Sequence, residues 1–368
     1  MSSFINSIWM MVLTLSVLVV VHEFGHFITA RLFGVTVHEF SVGFGPLIGK
    51  INHNGIQYSL RWVLLGGFCK IAGLDIALEG ETEAPAAEGA EVVPFHSIAY
   101  WKKVLVIAAG PLFNVLFGII LAFIMAAVIG LPAKMENDQP IVMLASPGSP
   151  AFEVGIRPGD KIVAINEQTI RKWMDIPAAI QKHGNRKLKV VIQRGQERIT
   201  KYVVPIYNKF EKRYIIGIEG VSTLKTIPPD AALQFAFSQP WAYTKAIFTT
   251  IKMVIMREVK GAFMGPVGMT VIMEQYSHLP LNQVLFQIFY LAIQINMFLF
   301  LFNMLPLPLP LLDGGWIVIM TLEKLLRREF SADQKAAAQM VGMIGVLLLG
   351  AIIFYSDVMM TIKRFFGG

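Results

Sequence analysis

Long apolar runs, rather than alternating polar and apolar positions, dominate this chain. The clearest are 104–131, which carries no charged residue, and 336–355. Each is long enough to cross the ~30 Å hydrocarbon core of a bilayer as a helix. Two further runs are interrupted, because 4–33 contains a short polar segment and 284–320 contains three alternating prolines. The pattern predicts about four transmembrane helices, the third of them broken.

The segments between these runs differ in character. Region 38–98 has a strand-like stretch, Ile56 to Trp62, between glycine-rich sequences. We expect a cytoplasmic-side re-entrant β/loop region there, with an ordinary cytoplasmic hairpin as the alternative. Segment 138–208 has short β-branched stretches between Gly and Pro turns, which predicts an inserted β-rich domain. Segment 228–280 has longer apolar stretches with sparse charge, which indicates amphipathic interfacial helices.

Composition supports a multi-pass α-helical membrane protein with a membrane-associated β-hairpin region. Of the 368 residues, 55% are hydrophobic and 15% charged, and the mean hydropathy is positive. A soluble domain has ~25% charged residues, and a disordered chain is far less apolar. The single cysteine, Cys69, excludes an internal disulfide framework and Cys-rich metal sites. We expect a lipid bilayer as a partner and no nucleic acid.

The net charge of +7 is unevenly placed. Lys and Arg concentrate in two short segments, between the first and second runs and between the third and fourth. By the positive-inside rule these segments are cytoplasmic, so both termini and the 138–208 domain are extracytoplasmic. The basic residues that decide this are Arg31, Lys50, Arg61, Lys70, Lys102, Lys103, Lys324, Arg327, Arg328 and Lys335.

The most informative motif is His22-Glu23-Phe24-Gly25-His26, inside the first apolar run. Four residues advance a helix by roughly 400°, so His22 and His26 lie on one face and can bind one Zn²⁺. Glu23 lies beside them and can act as general base. Ionisable groups within an apolar span are costly, which favours a function for them. The alternative is a set of mutually paired polar residues at a helix end.

A third metal ligand is predicted at Asp313, the only acidic residue between Gln275 and Thr321. The alternative role, compatible with the first, is to cap the helix that follows. The preceding Pro306, Pro308 and Pro310 prevent a helix, and non-helical backbone at membrane depth is tolerated only against protein or water. We therefore expect this segment to line an aqueous pocket. Asn303 could bind a substrate backbone or make a polar contact between helices.

Four glycines are candidates for the wall of this pocket. They are Gly43, Gly45, Gly66 and Gly67, which flank the strand-like stretch. A hairpin there could pair with an unwound substrate by strand addition. Ala109-Gly110-Pro111 and Asn114, at the start of the second span, are explained by close helix packing alone.

In this order, the motifs resemble the site-2 protease family of intramembrane zinc metalloproteases, closest to the bacterial regulator-of-sigma-E type. The similarity covers nearly the whole chain. The matching segments are HEFGH at 22–26, FSVGFGP at 40–46, LLGGF at 64–68, AAGPLFN at 108–114, SPAFEVGIRPGDKIVAIN at 149–166, GPVG at 265–268 and LLDGG at 311–315.

The resemblance implies one Zn²⁺ bound by His22, His26 and Asp313, with Glu23 as catalytic base. It implies cleavage of transmembrane segments of single-span proteins, such as anti-sigma factors or remnant signal peptides, in regulated intramembrane proteolysis. It also implies a bacterial inner-membrane location, an active site toward the cytoplasmic side, and a PDZ domain at 138–208 that binds a C-terminal tail or peptide.

The chain departs from the family pattern in three places. One PDZ domain is found where relatives often have two. Asn303 lies ten residues before Asp313 instead of eight, and Trp316 replaces a common histidine. The main alternative function is a catalytically inactive, PDZ-bearing membrane scaffold. A transporter also uses intramembrane ionisable residues, but four spans without inverted halves argue against it.

Overall fold

A computed structural model describes most of the chain. The described residues are 2–74, 92–133, 139–146, 148–208, 212–220, 223–256, 280–310 and 312–366. Residues 257–279 of the predicted interfacial segment, including GPVG at 265–268, lie outside this set.

The helical part contains the predicted membrane spans. In chain order the helices are α1 (Ser2–Leu32), α2 (Tyr100–Ile124), α3 (Pro150–Glu153), α4 (Asp175–His183), α5 (Pro229–Ile255), α6 (Leu281–Asn303), α7 (Asp313–Leu326) and α8 (Ala332–Phe366). Among the described residues, four of them are long and apolar enough to cross a membrane, namely α1, α2 with its π-helical extension, α6 and α8. The predicted number of spans is confirmed.

The third apolar run differs from the expected single broken span at 284–320. It forms two separate helices, because the proline-rich residues between Asn303 and Asp313 cannot continue α6. The second helix, α7, has 14 residues, fewer than the ~20 that a span requires. The break thus ends one membrane helix and starts a shorter one at Asp313.

Strands form a long hairpin and a separate β-rich domain. In chain order they are β1 (Val37–His53), β2 (Ile56–Ile71), β3 (Leu131–Pro132), β4 (Val142–Ala145), β5 (Lys161–Ile165), β6 (Gln168–Thr169), β7 (Leu188–Arg194), β8 (Glu197–Val203), β9 (Ile206–Asn208), β10 (Arg213–Ile215), β11 (Ile218–Gly220) and β12 (Leu224–Lys225).

The hairpin of β1 and β2 is antiparallel and longer than the predicted strand between Ile56 and Trp62. Its turn is Asn54-Gly55, where both residues have positive φ (50° and 76°). Such a turn matches the twist of paired strands, which explains why Asn-Gly occurs there. The start of β1 is buried against α1 together with Ile56 and Ile71 of β2, whereas the second half of β1, residues 44–53, is exposed.

The β-rich domain is built on an antiparallel sheet with strand order β6-β5-β7-β8, with α4 packed against it. Strand β11 pairs with β4, the first strand of the domain. The domain therefore extends to Gly220, beyond the predicted end at 208. Its core also includes Ile216, which is 1% exposed. The predicted domain ended too early because strands of three residues, such as β11, show little alternation of polar and apolar positions.

Candidate metal centre

Three side chains from two distant parts of the chain converge between α1, α2 and α7. His22 and His26 lie one turn apart on α1, and their Nε2 atoms are 3.2 Å apart. Asp313 places Oδ2 at 3.2 Å from His22 Nε2 and Oδ1 at 3.5 Å from His26 Nε2. All three side chains are at most 14% exposed. The structure thus brings together the three residues predicted to be metal ligands.

The backbone before Asp313 positions this carboxylate. Successive short bonds, Leu307 N–H to Leu305 O and Leu309 N–H to Leu307 O, fold the proline-rich segment back on itself. A side chain at Gly315 would collide with Leu309 O, since a Cβ there would lie 1.9 Å away. The segment therefore packs directly on the first turn of α7. This contact explains why glycine follows Asp313.

Helix α2 supports the two histidines from behind. It approaches α1 closely enough that a Cβ at Gly25 would lie 2.4 Å from Ala109 O. Gly110 leaves space for the His26 ring in the same way, because a Cβ at Gly110 would lie 2.2 Å from His26 Nε2. The His26 Nδ1 lies 2.9 Å from Val106 O, a group that only accepts hydrogen bonds. Nδ1 of His26 therefore carries the hydrogen, and its Nε2 lone pair faces the cluster.

The donor set fits a zinc ion. Two imidazole nitrogens and one carboxylate are the ligands of many catalytic zinc sites, which keep a fourth position open. Asp313 Oδ2 is buried and, although 3.2 Å from His22 Nε2, lacks the geometry of a hydrogen bond. Facing lone pairs at these distances are unfavourable without a cation between them. Within the described residues, this is the one group of three such side chains close enough to bind a metal.

Glu23 is fixed at the cluster by the hairpin. Its Oε2 accepts a hydrogen bond of 3.1 Å from the backbone N–H of Cys69 on β2. Burial raises the pKa of the Cys69 thiol well above its ordinary value, and the charge of Glu23 raises it further. Among the described residues, the group of side chains close enough to bind one metal ion does not include the Cys69 sulfur. Cys69 thus contributes to the site through its main-chain N–H, which binds Glu23.

The other predicted site residues are not among the three converging side chains. Asn303 ends α6, half-buried, where the proline-rich segment begins. Among the described residues, the hydrogen bonds and ion pairs of the cluster involve neither Asn303 nor the four glycines. Gly67 and Gly43 are needed for strand packing, since a Cβ would lie 2.3 Å from Ser41 O and 2.8 Å from Arg61 O respectively. Their predicted role in substrate binding remains a prediction.

An ion pair stabilises the buried base of the hairpin. Glu39 is 4% exposed and accepts hydrogen bonds from Ser59 and from Arg61, the latter at 2.9 Å. Burial opposes ionisation of Glu39, but the bonds from Ser59 and Arg61 outweigh it and hold its pKa below the ordinary value. Arg61 also donates to Gly45 O at 2.9 Å. This cluster joins the two strands close to the residues that contact Glu23.

Sequence reasoning missed the buried amide of Asn296 and assigned Asn114, a second buried amide beside the site, to helix packing alone. Asn296, on α6, is fully buried and donates a hydrogen bond to the main-chain oxygen of Asn114 on α2. Asn114 is also fully buried, and its amide contacts His22. The sequence signal for both residues is an uncharged polar side chain inside an apolar run, 104–131 for Asn114 and 284–320 for Asn296. Trp316, by contrast, packs against the apolar cluster at the base of the hairpin.

Comparison with known proteins identifies the class. The profile of Peptidase family M50 matches residues 10–349, so the chain belongs to this family. The resemblance to site-2 proteases is thereby confirmed.

Individual relatives match along nearly their full length. The chain is 24% identical to the zinc metalloprotease RasP of Bacillus licheniformis, covering 96% of this chain and 99% of the relative. It is 22% identical to the regulator of sigma-W protease RasP of Bacillus subtilis, with the same coverage. The chain is a zinc metalloprotease of the membrane, and Zn²⁺ is its cofactor.

Proposed function

We propose that this protease hydrolyses peptide bonds within the transmembrane segments of single-span membrane proteins. In this proposal His22, His26 and Asp313 bind the zinc ion, and Glu23 is the general base. The observation that carries it is the convergence of these buried side chains inside apolar helices, with a carboxylate oxygen that lacks any other partner. A structural ion pair would not leave that oxygen unsatisfied.

The residues of the chain have distinct parts in the reaction. Bound zinc supplies Lewis-acid chemistry, activating water and polarising the scissile carbonyl. Glu23 takes a proton from the attacking water and returns it to the leaving nitrogen. The Cys69 N–H donates to one carboxylate oxygen, Oε2, and holds the Glu23 side chain in place, and we assign the proton transfer to the other oxygen. Burial between α1, α2 and the hairpin limits access of bulk water.

The substrate must be unwound before it is cut, because helical carbonyls are occupied by i→i−4 hydrogen bonds. The hairpin offers extended backbone beside Glu23, and the non-helical segment before Asp313 offers more. We assign recognition of the unwound strand to this region, with Gly43, Gly45, Gly66, Gly67 and Asn303 as its contacts. Helix-breaking residues in a substrate should therefore favour cleavage.

The biological substrates are proposed to be anti-sigma factors or remnant signal peptides. The name of the Bacillus subtilis relative, a regulator of sigma-W protease, supports the first class. We further propose a bacterial inner-membrane location with both termini extracytoplasmic and the metal centre toward the cytoplasm. The distribution of Lys and Arg between the short loops supports this orientation.

The β-rich domain is proposed to be a PDZ domain that binds a C-terminal tail or peptide. Support comes from the sequence at 149–166 and from its local structure. Ser149 caps α3 by accepting from Phe152 N–H, and Asp160 is buried in an ion pair with Arg194. An antiparallel sheet packed against α4 also supports the proposal.

The decisive experiment compares wild type with Glu23→Gln in detergent, using a tagged single-span substrate and parallel measurement of bound zinc. We expect cleavage to fall by about 10²–10⁴-fold while zinc is retained. Glu167→Gln, a matched change on the exposed surface of the β-rich domain, should cleave normally. Undiminished cleavage by Glu23→Gln would contradict the mechanism. Absence of both zinc and cleavage in wild type would favour the scaffold.

A further inference from the structure

Asn114 contacts a predicted zinc ligand without being one itself. It lies on α2, its side chain is fully buried, and its amide nitrogen position is 3.1 Å from Nδ1 of His22. The oxygen position of the same amide, Oδ1, has no hydrogen-bond partner. A buried amide oxygen without a partner is costly and requires an explanation.

The tautomer of His22 decides which end of the Asn114 amide must face the ring. Nε2 of His22 faces Asp313 and His26, so Nε2 must present a lone pair if the ring binds zinc. The neutral ring then carries its hydrogen on Nδ1, which becomes a donor and needs an acceptor. His26 meets the same requirement at Val106 O. Among the described residues, the hydrogen-bond partner of His22 Nδ1 is the Asn114 amide.

We infer that Asn114 accepts a hydrogen bond from His22 Nδ1–H through its Oδ1 and thereby positions His22 for zinc. The two ends of an amide occupy nearly the same places after a half-turn, so the contact distance is preserved. In that orientation Oδ1 accepts from His22, and the NH2 group takes the other, unpaired position of the amide. Asn296 fixes the same stretch of α2 independently, by donating to the main-chain oxygen of Asn114. This positioning role rests on the ligand set proposed above.

Three variants test the inference through zinc affinity, measured by competition with a chromophoric chelator. Asn114→Leu removes the acceptor, and we expect affinity to fall about 10–100-fold, as for other partners of metal-bound histidines. Asn114→Asp retains an acceptor and cannot donate, so it should bind zinc at least as tightly as wild type. Gln287→Leu removes a buried amide of α6 that takes no part in the contacts of His22 or Asn114, and it should bind normally. Cobalt-substituted protein should show an altered visible spectrum only for Asn114→Leu.

The outcomes separate this inference from the proposed function. His22→Ala serves as reference, because failure of wild type to exceed it in zinc affinity would contradict the ligand set itself. If wild type exceeds it, normal binding by Asn114→Leu, or weak binding by Asn114→Asp, would overturn the positioning role.

A measurement on the unaltered sequence covers the case in which the variants do not fold. In cadmium-loaded, ¹⁵N-histidine-labelled protein, we expect His22 to be coupled to the metal through Nε2 and protonated at Nδ1. Coupling through Nδ1 would overturn the inference.

Discussion

Asp160 in the β-rich domain and Asp313 at the membrane helices are both shielded from water, yet their surroundings are opposite. Asp160 receives bonds from Arg194 Nε at 2.7 Å, Arg194 Nη2 at 2.8 Å and the N–H of Arg157 at 2.8 Å. This hydrogen bonding to Asp160 also raises the pKa of the Arg194 guanidinium. Asp313 faces two imidazole nitrogens and keeps one buried oxygen without a hydrogen bond.

The difference separates an acid that stabilises its domain from one arranged around an ion. A structural carboxylate is surrounded by donors of its own chain, so its charge is balanced when folding is complete. The donors that face Asp313 are themselves metal ligands by type and spacing. Burial alone therefore does not mark a functional acid, whereas burial with an incomplete set of partners does.

The largest effect is expected from removing Asp313, the acid with an incomplete set of hydrogen-bond partners. Asp313→Ala should lower zinc affinity by about a hundredfold or more, since loss of a ligand exceeds the 10–100-fold effect of losing an outer partner. Cleavage should fall with it. Zinc titration beside the thermal unfolding of metal-free protein would measure both consequences. If Asp313→Ala still binds zinc tightly, Asp313 is not a ligand, and its role would no longer differ from that of Asp160.

The same substitution at Asp160 tests the acid whose hydrogen bonds are complete. Asp160→Ala leaves Arg194 and the Arg157 N–H without their partner, and we expect the β-rich domain to lose about 3 kcal/mol. This value is at the low end for buried pairs because the Arg194 side chain is 32% exposed. Hydrogen exchange of β5 and β7 in the full chain would report the loss. Zinc affinity should not change, and a fall in it would mean that the two regions are coupled.

A third acid, Glu39, should give the smallest effect and a defined pH dependence. Its folded pKa lies below the ordinary value, so its stabilisation is present above ~pH 4.3 and is lost as pH falls through the folded pKa. Exchange protection of hairpin amides in wild type should decline over that window, and in Glu39→Gln it should not. Equal pH profiles would show that the bonds from Ser59 and Arg61 add no stability.

Much of the helical architecture was predictable, since uncharged runs longer than a bilayer have few alternatives. The convergence of His22 and His26 followed from helical spacing, and Asp313 was the one acid in its run. The number of helices long and apolar enough to span a membrane is confirmed for the described residues, and so is the zinc metalloprotease class. The hairpin was only partly predicted, because bulges near Gly45-Pro46 interrupt the alternation that identifies strands.

The supporting contacts were not predictable from one sequence. That Asn114 faces His22, and that Asn296 reaches the Asn114 carbonyl, depends on how α2 rotates against α1 and α6. Helical periodicity gives a face only when polar and apolar positions alternate, and these helices are apolar on every side. The same limit applies to Cys69, whose contribution comes from its main chain and leaves no mark in residue type.

The short ladder between β3 and β12 has a consequence for how this enzyme can vary. Leu131 pairs with Lys225 and Pro132 with Leu224, so the chain leaves the α2 extension and returns ahead of α5 at nearly the same point. Everything between these two pairs is a closed excursion. The inserted domain can therefore be lengthened, duplicated or exchanged without altering the distance between the end of α2 and the start of α5.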